Sequence, residues 1–190
     1  MRKYFLAFCL CASVGHAQYF NNNAFQFQLG WMGFDTTANF FNPIPLWPTT
    51  DQVQLGLGYQ YALVGYNLWW ITQASISLGY ARNFNLLNTQ VLAGVHGLTG
   101  LRYNLATEAW RPYIMGGIGL FTLFTSPNAD TSSGQSTGQA WMTLELGPGL
   151  EWIFAEEMSF QLGGAVLAFF DFKRPARFSY TANLSYLFYF

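Results

Sequence analysis

Charge is what this sequence has least of. Charged residues make up 9% of its 190, against about 25% in an ordinary soluble domain. A water-facing surface needs more, so the composition argues against a soluble globular fold. Cysteine is confined to Cys9 and Cys11, both inside a leader segment described below, which excludes disulfides and thiol chemistry from the rest of the chain. After His16 the one histidine is His96. A metal centre needs several ligands in fixed geometry, so neither a metal nor a cofactor is expected. Long apolar runs are missing too. Beyond the N-terminus no stretch of 18 or more apolar residues appears, which argues against membrane helices. Yet 52% of residues are apolar and 19% aromatic. Glycine, glutamine and serine interrupt the apolar positions in alternation. High apolarity without apolar runs is the composition of a transmembrane β-barrel.

Residues 1–17 have the layout of a secretory signal peptide: Arg2 and Lys3, an apolar Tyr4 to Val14, then Gly15-His16-Ala17 at the cleavage position. The mature protein, residues 18–190, would begin at Gln18. Of eight basic residues, Arg2 and Lys3 leave with the leader, so six face nine acidic ones, a net charge of −3. No basic cluster remains for nucleic acid.

The alternation predicts about eight strands, because successive side chains in a strand point to opposite faces. Phe25, Phe27, Leu29 and Trp31 share the outer face of the first strand, opposite Gln26, Gln28 and Gly30. Gln52 to Tyr61 is the second, and the third runs to Tyr80 with Trp70, Thr72, Ala74, Ile76 and Leu78 outside. Thr89 to Asn104 is the fourth, with a soft register near Gly97 where a bulge would flip part of it. Pro112 to Phe124, Gln139 to Trp152 and Met158 to Phe170 follow. The connections alternate long and short. Aromatics near strand ends suggest two interfacial girdles, Trp31, Tyr80 and Trp141 at one end and Tyr61, Trp110, Tyr113, Trp152 and Phe190 at the other.

The last strand, Arg177 to Phe190, is the most regular. Phe178, Tyr180, Ala182, Leu184, Tyr186, Phe188 and Phe190 form one face; Ser179, Thr181, Asn183 and Ser185 form most of the other. Its end resembles the C-terminal signal of bacterial outer-membrane β-barrels, with Tyr186, Phe188 and Phe190 as the alternate aromatics and Ser185 where the family usually has glycine. Arg111-Pro-Tyr-Ile-Met-Gly-Gly-Ile-Gly-Leu resembles a strand start of small OmpA-type barrels. The resemblance implies an OmpA/OmpX-like all-β fold: a transmembrane antiparallel up-and-down barrel. It also implies termini in the periplasm and long connections outside the cell. Implied partners are outer-membrane lipid and lipopolysaccharide, periplasmic chaperones and the barrel-assembly machinery, with the barrel a monomer. No peptidoglycan-binding domain is expected after the last strand.

Inside a narrow barrel, charges are costly unless paired. His96 and Arg102 share the inner face of the fourth strand, Glu145 and Glu151 that of the sixth, each pair six residues apart. This spacing suggests a two-layer lumen network, His96 with Glu145 and Arg102 with Glu151. Gly116-Gly117-Ile118-Gly119 lies within a strand and lacks the Lys-Ser/Thr of a phosphate loop.

The expected function is a small integral outer-membrane barrel, structural or surface-interacting, its lumen plugged by side chains. The alternative is an OmpW-like conduit for small hydrophobic molecules, with Met32, Met115 and Phe121 lining an apolar pocket in the upper lumen. A lipid A-modifying enzyme is the third reading. The deacylase type has a serine two residues after its histidine, where this chain has Leu98 after His96. The chain is therefore not expected to be an enzyme.

Overall fold

The computed structural model describes residues 22–34, 51–82, 89–125, 138–170 and 177–190. They form eight strands: β1 Asn23–Phe34, β2 Asp51–Val64, β3 Leu68–Arg82, β4 Thr89–Asn104, β5 Trp110–Thr125, β6 Gly138–Ala155, β7 Met158–Phe170 and β8 Arg177–Tyr189. Each pairs antiparallel with the next, and β8 returns to β1 to close the barrel. Closure leaves no edge strand. Lipid offers backbone N–H and C=O groups no partner, so an open edge would be untenable.

The period-two pattern decides which face is which. Phe27, Leu57, Leu78, Val95, Leu120, Leu146, Leu162 and Leu184, one from each strand, are all outward and exposed, around the whole circumference. Gln26, Gln60, Ser77, Arg102, Glu151 and Ser185 alternate with them and are buried inside. Oily outside and polar inside is the inverse of a soluble barrel and identifies a transmembrane one.

The ladders through Gly97 run without a register shift on either side, so no bulge occurs there. Shifts occur instead beside short turns, at Ala62/Val64 and Ile153/Ala155. Gly65, in the β2–β3 turn, has φ +53°, where a side chain would be strained. Pro148 lacks an N–H, and the β6–β7 ladder passes over Gly147 and Pro148 before resuming in the same register at Gly149.

Residues 65–67, 105–109 and 156–157 join strands at one end, called here the turn end. Residues 35–50, 83–88, 126–137 and 171–176 join them at the other, the loop end. The leader, these longer connections and the Tyr80 side chain lie outside the described residues.

The turn-end girdle is present. Tyr61, Trp110, Trp152 and Phe190 point outward, with the Trp110 and Trp152 rings stacked 5.5 Å apart and Phe25 and Phe190 5.0 Å apart. Trp31 faces outward near the loop end. Two girdle expectations are corrected. Tyr113 is buried in the lumen, and Trp141 packs inward on Phe121 and Phe169. Both have inward parity, and the pleat overrides their position near a strand end.

Candidate functional site: the lumen

Alternation along eight strands aims one set of side chains at a common axis. In a barrel this small they fill it. They do so in layers.

At the loop end Met32, Leu92, Phe121, Leu123, Ala165, Leu167 and Phe169 form an apolar cluster, with Trp141 against it. Met32 and Phe121 are fully buried in it. The upper-lumen pocket expected of a conduit is therefore filled at these two positions, because large side chains from β1, β4, β5, β6 and β7 meet across the axis. Met115 does not join the cluster; it lines a small cavity further down.

That cavity has a volume of about 20 Å³ and polar walls that include Gln26, Gln60, Gln73, Arg102, Tyr113 and Gln161. One water needs roughly 10–15 Å³ and two or more polar partners. The cavity therefore has room for one or two waters and is far too small for a stream of them.

Below it lies a hydrogen-bonded knot. Arg102 of β4 and Glu151 of β6 form an ion pair, both essentially solvent-free. Arg102 also donates from Nε to Asn104 Oδ1 and from Nη1 to Gln60 Oε1, each at 2.9 Å. Its guanidinium lies over the Tyr113 ring, 4.4 Å from the centroid, a cation–π contact strengthened by the dry setting. The second Glu151 oxygen accepts from Ser159 at 2.5 Å and from the Tyr189 hydroxyl. A charge pair this deep is tolerable only when its remaining donors and acceptors are met, and these partners meet them. Gly149 makes room for the knot, since a Cβ there would overlap the Tyr113 phenol.

A second apolar cluster closes the turn end: Ala24, Ala62, Trp69, Ile153, Leu187 and Tyr189, with Tyr66 against it. Trp69 donates its indole N–H to the Tyr66 carbonyl at 2.9 Å, which satisfies a polar group that burial would otherwise strand.

Of the expected lumen residues, His96, Arg102, Glu145 and Glu151 all point inward and are buried. The structure brings Arg102 to Glu151. It does not bring His96 to Glu145. His96 Nε2 lies 3.1 Å from Thr143 Oγ1 instead, and the Phe121 ring meets the imidazole edge-on. The reason is geometric. Across β5 the ladder sets His96 level with Trp141, through Phe121, and Arg102 level with Gly147, through Met115. Strands in a barrel tilt, so contacts across the lumen run diagonally. His96 meets a residue two positions beyond its level, and the longer Arg102 one four beyond.

A base–hydroxyl pair within hydrogen-bond reach is what nucleophilic catalysis requires, but His96 and Thr143 are both buried in the lumen. The two strands that supply the pair are distant in sequence, so no local motif marks it. Among the described residues no group of three or more His, Cys, Asp or Glu could hold a metal. Sequence reasoning also missed Trp69, Tyr113 and Tyr189 as lumen residues, although each has inward parity. Tyr186 and Phe188 fall on the outer face of β8, with Phe190 just beyond it on the same side, clear of the lumen.

No family model matches the sequence, and no curated protein does. Solved structures do. The chain is similar to Neisserial surface protein A (TM-score 0.63, 10% identity), covering 90% of this chain and 98% of that one. It is similar to Ail, the attachment invasion locus protein of Yersinia pestis (TM-score 0.57, 13% identity, 90% and 99% covered). The N-terminal barrel domain of Pseudomonas aeruginosa OprF follows at TM-score 0.50 and 14% identity, with 90% and 99% covered. The fold is that of the small eight-stranded outer-membrane barrels. At these identities the likeness is one of architecture.

Proposed function

We propose that this is a small integral outer-membrane protein with a closed lumen, whose loop end faces outward and carries a structural or surface-interaction role. The observation that supports it most is the filling of the lumen: an apolar cluster at each end, with an ion pair and a water-sized cavity between them. A barrel packed in this way is a rigid stub that holds its connections at a membrane surface, not a conduit. On this reading residues 1–17 direct export and are removed, the turn end faces the periplasm, and chaperones and the assembly machinery deliver the barrel. The machinery recognises the outward aromatics of β8, and the apolar wall is solvated by lipid and lipopolysaccharide as a monomer. No reaction is assigned to the His96–Thr143 pair.

The kind of surface partner is constrained by charge. One structure of Ail is in complex with the heparin analogue sucrose octasulfate. In this chain the loop-end connections and the strand ends beside them carry Arg82, Lys173, Arg174 and Arg177, balanced by Asp35, Asp51, Asp130 and Asp171. With no net charge of either sign, that balance disfavours a polyanion and favours an uncharged or mixed surface.

Two measurements test the proposal. Fractionation should recover the protein in the outer membrane with Gln18 as its first residue. The purified barrel should show no steady conductance in planar bilayers. Recovery in the cytosol, or sustained channels from the unaltered protein, overturns it.

A further inference from the structure

Seven of the eight pairings join strands consecutive in sequence; the eighth joins β1 to β8. In a hairpin the turn fixes the register. At the β1–β8 seam no turn does. The outward side of β8 cannot fix it either. Tyr180, Ala182, Leu184, Tyr186, Phe188 and Phe190 share that face, so a slip of two residues keeps the lipid-facing wall apolar. A slip of one would turn the faces over and is rejected by lipid.

The lumen supplies what the wall lacks. Arg102 Nη1 donates to Gln60 Oε1 at 2.9 Å, Gln60 Nε2 to Gln26 Oε1 at 2.9 Å, and Gln26 Nε2 to Ser185 Oγ at 2.8 Å. From the other side, Arg102 pairs with Glu151, which accepts from the Tyr189 hydroxyl. Both routes end on β8, at inward positions four residues apart. The hydrogen bonds thus form a circuit through β4, β2, β1, β8 and β6. Its direction is fixed, because Arg102 only donates, so Gln60 must present its oxygen and each amide in turn is oriented.

We propose that this circuit sets the register of the closing seam, with Ser185 and Tyr189 as the two positions on β8 that it reads. A slip of two residues moves β8 by about 6.6–6.8 Å. It would carry Tyr189 away from Glu151. Gln26 is level with Leu187 and reaches Ser185 diagonally, so a slip would put Asn183 or Leu187 in that diagonal place. In the latter case Leu187 replaces Ser185 at the position from which the Gln26 amide draws its acceptor. The inference requires only the barrel fold. Its failure leaves the closed-lumen reading in place, since conductance tests that separately.

The experiment is cysteine cross-linking across the seam in the full chain carrying Cys9→Ser and Cys11→Ser. Leu29 faces Leu184 in the native register. Directly paired positions lie within disulfide reach, and positions offset by two do not. Leu29→Cys is combined with Leu184→Cys to report the native register, and with Ala182→Cys or Tyr186→Cys to report slips in either direction. In the otherwise unaltered protein the native pair should form and the offset pairs should not. With Ser185→Ala and Tyr189→Phe together, the ratio of offset to native cross-link should rise at least fivefold; with Tyr189→Phe alone, at least twofold. An unchanged ratio in the double variant, with stability reduced, would show that the circuit stabilises without choosing a register. If the double variant does not insert, the single variant decides by the same ratio, because it keeps the ring and removes only the hydroxyl.

Discussion

Arg102 on β4 and Glu151 on β6 are joined across β5, which separates them in the sheet, and Tyr113 of that intervening strand lies beneath the guanidinium. The pair bridges the lumen and not a ladder. Its contribution therefore depends on the dryness of the barrel, not on strand pairing.

Removing either partner should leave a charge stranded. Arg102→Gln or Glu151→Gln should each cost about 3–5 kcal/mol of folding stability, the range for breaking a buried pair. The double variant should recover part of that, because neither member of the pair is then left charged without the other. The measurement is a double-mutant cycle on denaturant titrations of the barrel in lipid vesicles. Additive losses would mean that water screens the pair and the knot is wetter than its burial implies.

Gly119 controls the other lumen contact. A Cβ there would overlap the Gly97 carbonyl oxygen of β4 and lie 2.7 Å from Thr143 Oγ1 and 3.0 Å from His96 Nε2. Gly119→Ala should force the two apart and destabilise the barrel by about 1–3 kcal/mol, as overpacking does. Restoring space with Thr143→Ser does not remove the clash at the oxygen, so it should give little relief. Thermal unfolding of the two variants checks both statements. A Gly119→Ala barrel with unaltered stability would show that both the β4–β5 backbone contact at Gly97 and the hydrogen bond have slack.

Much of this was legible from parity alone. The bounds of β4 and β7 and the inward or outward sense of every strand but β5 follow from a period of two, and Arg102, Glu145, Glu151 and His96 fall inside as that period requires. The pairing across the lumen was legible only in part. His96 was matched to Glu145 by counting along strands, but tilt displaces facing residues, and no sequence feature reports the displacement. Tyr113 and Trp141 were misread because an aromatic near a strand end suits a membrane interface as well as a core. Tyr189 has the parity of Ser185, and that was the available signal. The glycines of β5 were legible only as strand residues that are not a phosphate loop. Their specific use, letting His96 reach Thr143 past Gly119, depends on which residues face each other two strands apart.

The lipid face makes an independent prediction. Leu146 is outward and 61% exposed, near the middle of β6, with Val166 beside it on β7. Leu146→Arg should cost about 2–4 kcal/mol if that position sits at the bilayer midplane, falling to about 0–1 kcal/mol near an interface. The same substitution at Trp152, in the turn-end girdle, should cost less. Folding titrations of both variants into vesicles give the depth profile directly. A Leu146→Arg barrel as stable as the unaltered one would place the hydrocarbon layer elsewhere on the wall.

Phe190 has one role in the structure and a second on the proposed reading, and folding in vesicles and in cells can separate them. Its ring stacks on Phe25 at 5.0 Å, and its N–H donates to the Asn23 carbonyl at 3.0 Å. It therefore holds the end of the seam between β8 and β1. On the proposed reading it is also the terminal aromatic that the assembly machinery recognises. Deleting it removes both contributions, whereas Phe190→Leu keeps the backbone bond and an apolar side chain but loses the ring stack. If the seam contact dominates, both changes should lower stability in purified vesicles, the deletion more. If recognition dominates, refolding into vesicles should be nearly normal for both, while in cells the deletion should leave protein in the periplasm exposed to proteases. Heat-modifiability in gels, scored for vesicle-folded and cell-derived protein side by side, distinguishes the two. We expect a moderate loss in vesicles and a larger one in cells for the deletion. Equal, full amounts of folded barrel in both settings would show that Phe190 is needed for neither closure nor delivery.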